Sequence, residues 1–143
     1  MTQLESLLFK YDFPKRETRN ALVFDNIEQI IGFQLPEDYK FYLMNFIGHE
    51  CFIGPEYVKL WDFDSLLENN IGYGTIGDQT NVLAIGGNGA GECIAIDHLD
   101  ENNDRIVLSP FIGFDRENYI SIGSSFTDML VRLDNGKEWF NAD

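Results

Sequence analysis

The sequence predicts an α+β fold, with N-terminal helices, an antiparallel meander of strands and a C-terminal helix packed against that sheet. Three observations lead there. Apolar residues recur at helical spacing before Gly48 and again after Ser125. Between those points the spacing shifts toward alternation, in short runs separated by Gly, Asn and Asp. The chain of 143 residues lacks internal repeats and Pro- or Ser-rich linkers, so a single domain over 1–143 is expected.

Leu4, Leu7, Leu8 and Tyr11 fall at i, i+3, i+4 and i+7, the stripe of a short first helix. A second helix is marked by Asp25 and Glu28 as a capping-box pattern, by Ile27, Ile30 and Ile31 on one face, and by Gly32 as its C-terminal cap. The third has the strongest signals. Pro36 suits the first helical position, and Glu37 and Asp38 complement the helix dipole. Tyr39, Tyr42, Leu43, Phe46 and Ile47 form a buried stripe ended by Gly48, while Phe41 and Met44 lie off it and imply that more than one side is covered.

Tyr57 to Trp61 reads as a strand, followed by a brief helix capped by Asp64 through Leu66 and Leu67. Asn81 to Ile85 and Glu92 to Ile96 flank the run from Gly86 to Gly91 and read as a hairpin. Arg105 to Leu108 forms a third strand after the acidic turn Asp97 to Asp104, and a further strand covers Tyr119 to Ile122. Ser124 or Ser125 caps the last helix, whose Phe126, Met129, Leu130 and Leu133 share a face.

Charge is distributed unevenly. The net charge is −14, yet no Lys or Arg occurs between Lys59 and Arg105. That stretch holds nine acidic residues: Asp62, Asp64, Glu68, Asp78, Glu92, Asp97, Asp100, Glu101 and Asp104. Such a surface steers basic partners and repels nucleic acid and anionic membrane. Apolar residues make up 44 % of the chain, too many for disorder. No stretch reaches the roughly 20 apolar residues of a membrane span, and the N-terminus lacks the pattern of a signal peptide. The expectation is a soluble cytoplasmic protein.

Catalytic patterns are weak. Gly86 and Gly91 have the outer spacing of a phosphate loop, but Glu92 stands where that loop needs Lys, so the glycines read as a turn. Cys51 and Cys93 lack CxxC spacing and read as buried thiols. His49 with Cys51, or His98 with Cys93, would be the only thiol–base pairs, and neither has a third orienting group. Asp97 to Asp104 offers oxygen ligands without the glycine and terminal Glu of a calcium loop, so a solvated turn is expected. No residue pair among the carboxylates is singled out for glycosidase chemistry. No cofactor, metal or catalytic set is expected. Trp61 reads as core, and Trp139 as either a docked tail or a partner contact.

Leu35-Pro36-Glu37-Asp38-Tyr39-Lys40, continuing to Gly48, resembles the signature helix of the SUKH superfamily, which includes yeast cell-wall-synthesis regulators and bacterial toxin-immunity proteins. The preceding Ile27–Phe33 segment, the Leu83–Asp97 hairpin and the closing Ser125–Leu130 segment agree in order and spacing, over roughly 25–133. The resemblance implies a non-catalytic protein-binding domain, with an immunity protein against a basic, often nuclease-type, toxin domain as the first expectation. A regulatory scaffold for an endogenous protein is the alternative. Asp97, Asp100, Glu101 and Asp104, with Glu92 upstream, are the candidate partner-contacting residues.

Overall fold

The computed structural model describes residues 1–17, 22–76 and 81–140. Along the chain run α1 (Gln3–Lys10), α2 (Asp25–Ile31), α3 (Glu37–Asn45), β1 (His49–Ile53), β2 (Glu56–Leu60), α4 (Phe63–Tyr73), β3 (Val82–Gly87), β4 (Glu92–Asp100), β5 (Asn103–Pro110), a 3-10 turn (Arg116–Asn118), β6 (Ile120–Gly123) and α5 (Phe126–Asp134). The strands form one antiparallel sheet in the order β1-β2-β3-β4-β5-β6. The expected α+β meander is what the chain adopts.

The closing helix follows its sequence signals closely. Ser125 accepts a hydrogen bond from the Asp128 amide, and Phe126, Met129, Leu130 and Leu133 are all buried. This stripe rests on β1, β5 and β6, and α1 and α3 pack against α5 in turn. Tyr39, Tyr42 and Phe126 meet there, with ring centroids 5.2–6.1 Å apart.

Asp38 fastens α3 to the start of α5. Its Oδ2 accepts from the Thr127 amide at 2.9 Å and from Thr127 Oγ1 at 2.8 Å. Asp38 therefore satisfies an otherwise open donor in the first turn of a helix 89 residues away. Asp38→Ala is expected to cost about 1–2 kcal/mol, while Asp38→Asn keeps the acceptor and most of the stability. Urea unfolding tests this, and an unchanged midpoint for the alanine variant would show that Thr127 finds water instead.

Several local expectations are corrected. Asp25 and Glu28 form no capping box: Phe24 occupies the cap position without a side-chain bond, and Glu28 accepts from the Leu35 amide at 2.7 Å. Ile30 is exposed, whereas Ile27 and Ile31 are buried. Pro36 sits at the cap of α3 rather than inside it, and α3 stops at Asn45. Phe46 is extended and bridges to Lys15. Arg16 explains that early stop, donating to the carbonyls of Leu43 and Phe46 while pairing with Asp62 at 2.6 Å. Phe41 is half-buried but Met44 is exposed.

β1 is a strand that the sequence did not announce. Its Glu50 and Phe52 face outward opposite Lys59 and Tyr57 of β2. The helix expected at Asp64 is longer, with Asp62 at its cap position. In the glycine run, Gly89 and Gly91 do turn the chain with φ of 75° and 96°. Gly86 has another reason to be glycine: a Cβ there would lie 2.0 Å from the Lys59 carbonyl oxygen of the neighbouring strand.

Trp61 is buried as expected, stacked with Tyr73 of α4. Trp139 is a docked tail, 3 % exposed, with its amide donating to Glu56 Oε2 at 2.8 Å.

Candidate functional site

β4 and β5 extend past the core as one long hairpin, and the acidic residues occupy its outer end. Their positions along it divide them by role. Asp97 points inward and is wholly buried. Its Oδ2 accepts from Arg105 Nε at 3.0 Å, and its Oδ1 from Arg116 Nε and Nη2 at 3.2 and 2.9 Å. One carboxylate thus ties β4 to β5 and to the 3-10 turn before β6. The two arginines remain partly open to water, at 30 % and 43 %, and their hydration limits the cost of burying the charge. Beside this cluster the Tyr119 hydroxyl is pushed up to about 12, first by burial and then by the charge of Asp97, and stays protonated.

The turn itself is shorter than the sequence suggests. Asn102 takes a left-handed conformation, φ 65°, and Asp100 pairs with Asn103 across it. A bulge between His98 and Asp100 leaves Leu99 exposed. Asp100 and Glu101 project into solvent at the tip. Asp104 is half-buried and accepts from His98 Nδ1 at 2.6 Å, with the proton on Nδ1 because a carboxylate can only accept. The His98 ring lies parallel to Phe33, with centroids 4.9 Å apart.

Glu92 is not part of this group. It stands at the opposite end of β4, about 26 Å away along a strand of that length, where it accepts from the Asn88 side chain at 2.8 Å. Asp78 lies outside the described residues.

Between the hairpin tip and the Gly32–Glu37 segment runs a groove of about 640 Å³. Its carboxylates are Glu37, Glu101 and Asp104, and His98 forms part of its wall. Glu37 is 91 % exposed and, among the described residues, pairs with Lys40 of its own helix, at 3.1 Å. Sequence reasoning treated Glu37 as a helix-dipole residue and missed its place here, because nothing in the chain signals that residues 37 and 101 approach each other.

The thiol–base pairs are not assembled. Cys93 is buried, its thiol pushed up to about 12 by that burial, which disfavours the thiolate a nucleophile needs. His98 lies five residues along the same strand, on the other face. The His49 ring packs on Phe13 at 4.9 Å, and burial raises the Cys51 thiol as well. Among the described residues no three His, Cys, Asp or Glu side chains are grouped to hold a metal ion. No helix among them is long and apolar enough to cross a membrane.

A comparison with family models matches residues 21–132, most of the chain, to the SMI1 / KNR4 family (SUKH-1). The chain belongs to that family. A comparison with curated proteins returned no match. SUKH-1 membership places the protein among immunity or regulatory domains that work through protein–protein contact and are generally non-enzymatic. The geometry explains what the family-like segment does in this chain. Leu35 is held by Glu28, Asp38 caps α5, and Tyr39 is fully buried. These residues join α2, α3 and α5, and none of them lies on the acidic hairpin.

Proposed function

We propose that this SUKH-1 protein is an immunity protein, which binds and blocks a cognate toxin domain through a basic surface seated on the β4–β5 tip and the adjoining groove. The observation that carries this reading is the separation of roles along the hairpin. Asp97 and Asp104 are engaged internally, whereas Asp100 and Glu101 are exposed and make no ion pair with a described residue. Glu37 extends the same negative surface across the groove. Charges so placed act on encounter more than on final affinity, because they remain hydrated until the partner arrives. A nuclease-type toxin, whose own surface must attract nucleic acid, has the complementary charge.

The test is association kinetics with toxin domains encoded beside the gene. The Asp100→Lys, Glu101→Lys double variant should associate about tenfold more slowly at low salt, with a flatter salt dependence and an unchanged circular dichroism spectrum. Association at the wild-type rate across the salt series would remove the tip from the interface. Failure to bind any neighbouring toxin domain would sink the immunity reading itself. A growth phenotype that persists after toxin deletion would favour a regulatory scaffold.

A further inference from the structure

A second cleft, which shares no lining residue with the acidic groove, lies between the β1–β2 hairpin and α4. Its volume is about 530 Å³, within the roughly 300–1,000 Å³ of small-molecule clefts. Ser65, Asn69 and Tyr73 line one wall at i, i+4 and i+8 of α4, while Glu50, Lys59 and Trp61 belong to the strand side.

Three properties define what would fit. The first is charge balance. Lys59 and Glu50 are cross-strand neighbours of opposite sign, and Asp62 is answered by Arg16. Unlike the acidic groove, this cleft carries no excess of either sign, and the chain's net charge of −14 opposes an anion. The second is unspent hydrogen-bonding capacity. The half-buried Asn69 amide, the Lys59 ammonium and the Tyr73 hydroxyl have no side-chain hydrogen bond to a described residue, so donors and an acceptor converge on one space. The adjacent Asn70 is fully used inside the fold, which makes the idle Asn69 notable. The third is a fixed aromatic surface. Tyr73 is 55 % exposed, yet its ring is stacked on Phe111 at 4.3 Å and lies parallel to Trp61 at 5.8 Å. A ring already immobilised loses little entropy on receiving a ligand.

We propose that this cleft binds an uncharged sugar ring. A sugar presents hydroxyls that both donate and accept around its rim, matching Asn69 and Lys59. It also presents a face of C–H groups, whose positive edges suit the negative face of an aromatic ring. An apolar ligand would strand the Asn69 and Lys59 groups, and a charged one would unbalance Lys59 against Glu50.

The experiment is a 15N-resolved NMR titration with methyl β-glucoside, N-acetylglucosamine and a cello-oligosaccharide, with glucuronate and glucosamine as charged counterparts. The neutral sugars should give saturable shifts of the Trp61 indole signal in the millimolar range. Asn69→Ala should weaken them about fivefold to tenfold, the loss of one hydrogen bond, and Tyr73→Ala should weaken them further. Tyr73→Ala also removes packing from Trp61, so Asn69→Ala, at a site outside the core, is the deciding variant. No indole shift with any neutral sugar, an affinity unchanged by Asn69→Ala, or tighter binding of either charged sugar would overturn the proposal. None of these outcomes bears on the acidic hairpin, which shares no lining residue with the cleft.

Discussion

Asn70→Ala is expected to remove about 3–4 kcal/mol of stability, although Asn70 touches neither proposed binding site. Asn70 is fully buried in α4. Its Nδ2 donates to the carbonyls of Leu66 and Ala84, both at 2.8 Å, and its Oδ1 accepts from the Ala84 amide at 3.0 Å and from Thr75 Oγ1 at 2.8 Å. β2 pairs with β3 only at Lys59–Gly87 and Leu60–Gly86, with one more bond from Trp61 to Ile85, so Ala84 lies beyond its reach. The Asn70 amide takes the place of the absent strand and satisfies both polar groups of Ala84. Alanine would leave them without partners in a space closed to water, and the buried Thr75 hydroxyl would keep only the Asn70 backbone carbonyl, 3.2 Å away. Urea midpoints measure the loss, and a shift worth less than about 1 kcal/mol would mean that the strand relaxes or admits water. Asn70→Asp sharpens the test. Only its protonated form can donate to the Ala84 carbonyl, and burial raises its folded pKa above the unfolded value near 3.9. That variant should lose stability as the pH rises through this range and regain part of it as the pH falls toward about 4.

Gly86→Ala should be comparably severe, at about 3–5 kcal/mol. The added methyl would sit 2.0 Å from the Lys59 carbonyl oxygen and 3.1 Å from Leu60 Cα, both belonging to backbone that cannot rotate away. β2 and β3 would have to separate at the two positions where they pair. Gly91→Ala provides the comparison. That glycine has φ 96° but nothing within 4 Å, so the variant should bear only the conformational penalty of about 1–2 kcal/mol. Equal losses for the two variants, by thermal or urea unfolding, would refute the close-contact argument.

These two residues also mark where the sequence stopped being informative. α5 was legible because cap, stripe and terminating turn agree within a dozen neighbouring residues, and α3 was legible through Pro36 and the Tyr39–Leu43 stripe. β1 was hidden because Phe52 faces solvent, which erases the alternation that marks a half-buried strand. Asp97 gave no sign of burial, since its neutralising arginines come eight and nineteen residues later. The acidic hairpin could be located from charge alone, but the division between internal and exposed carboxylates could not. That division depends on strand length and on the bulge at Leu99. The cleft beside α4 had no local signature, because its two walls come from an edge hairpin and a helix face that meet only in three dimensions.

The sheet order has a kinetic meaning. Each strand pairs with its nearest strand neighbours in the chain, so the sheet can assemble by successive short closures at low entropic cost. The contact between α1 and α5 is of a different kind: Lys10 and Asp134 meet at 2.7 Å across 124 residues. A closure that long is expected to come after the sheet and α5 have formed, as the last turn of a latch. Interactions that form late govern how fast a protein comes apart rather than how fast it assembles. The α1–α5 contact is therefore expected to set the lifetime of the folded state, and the sheet how readily that state is reached. An α1–α5 variant, Lys10→Ala, that slowed refolding and left the unfolding rate unchanged would refute this.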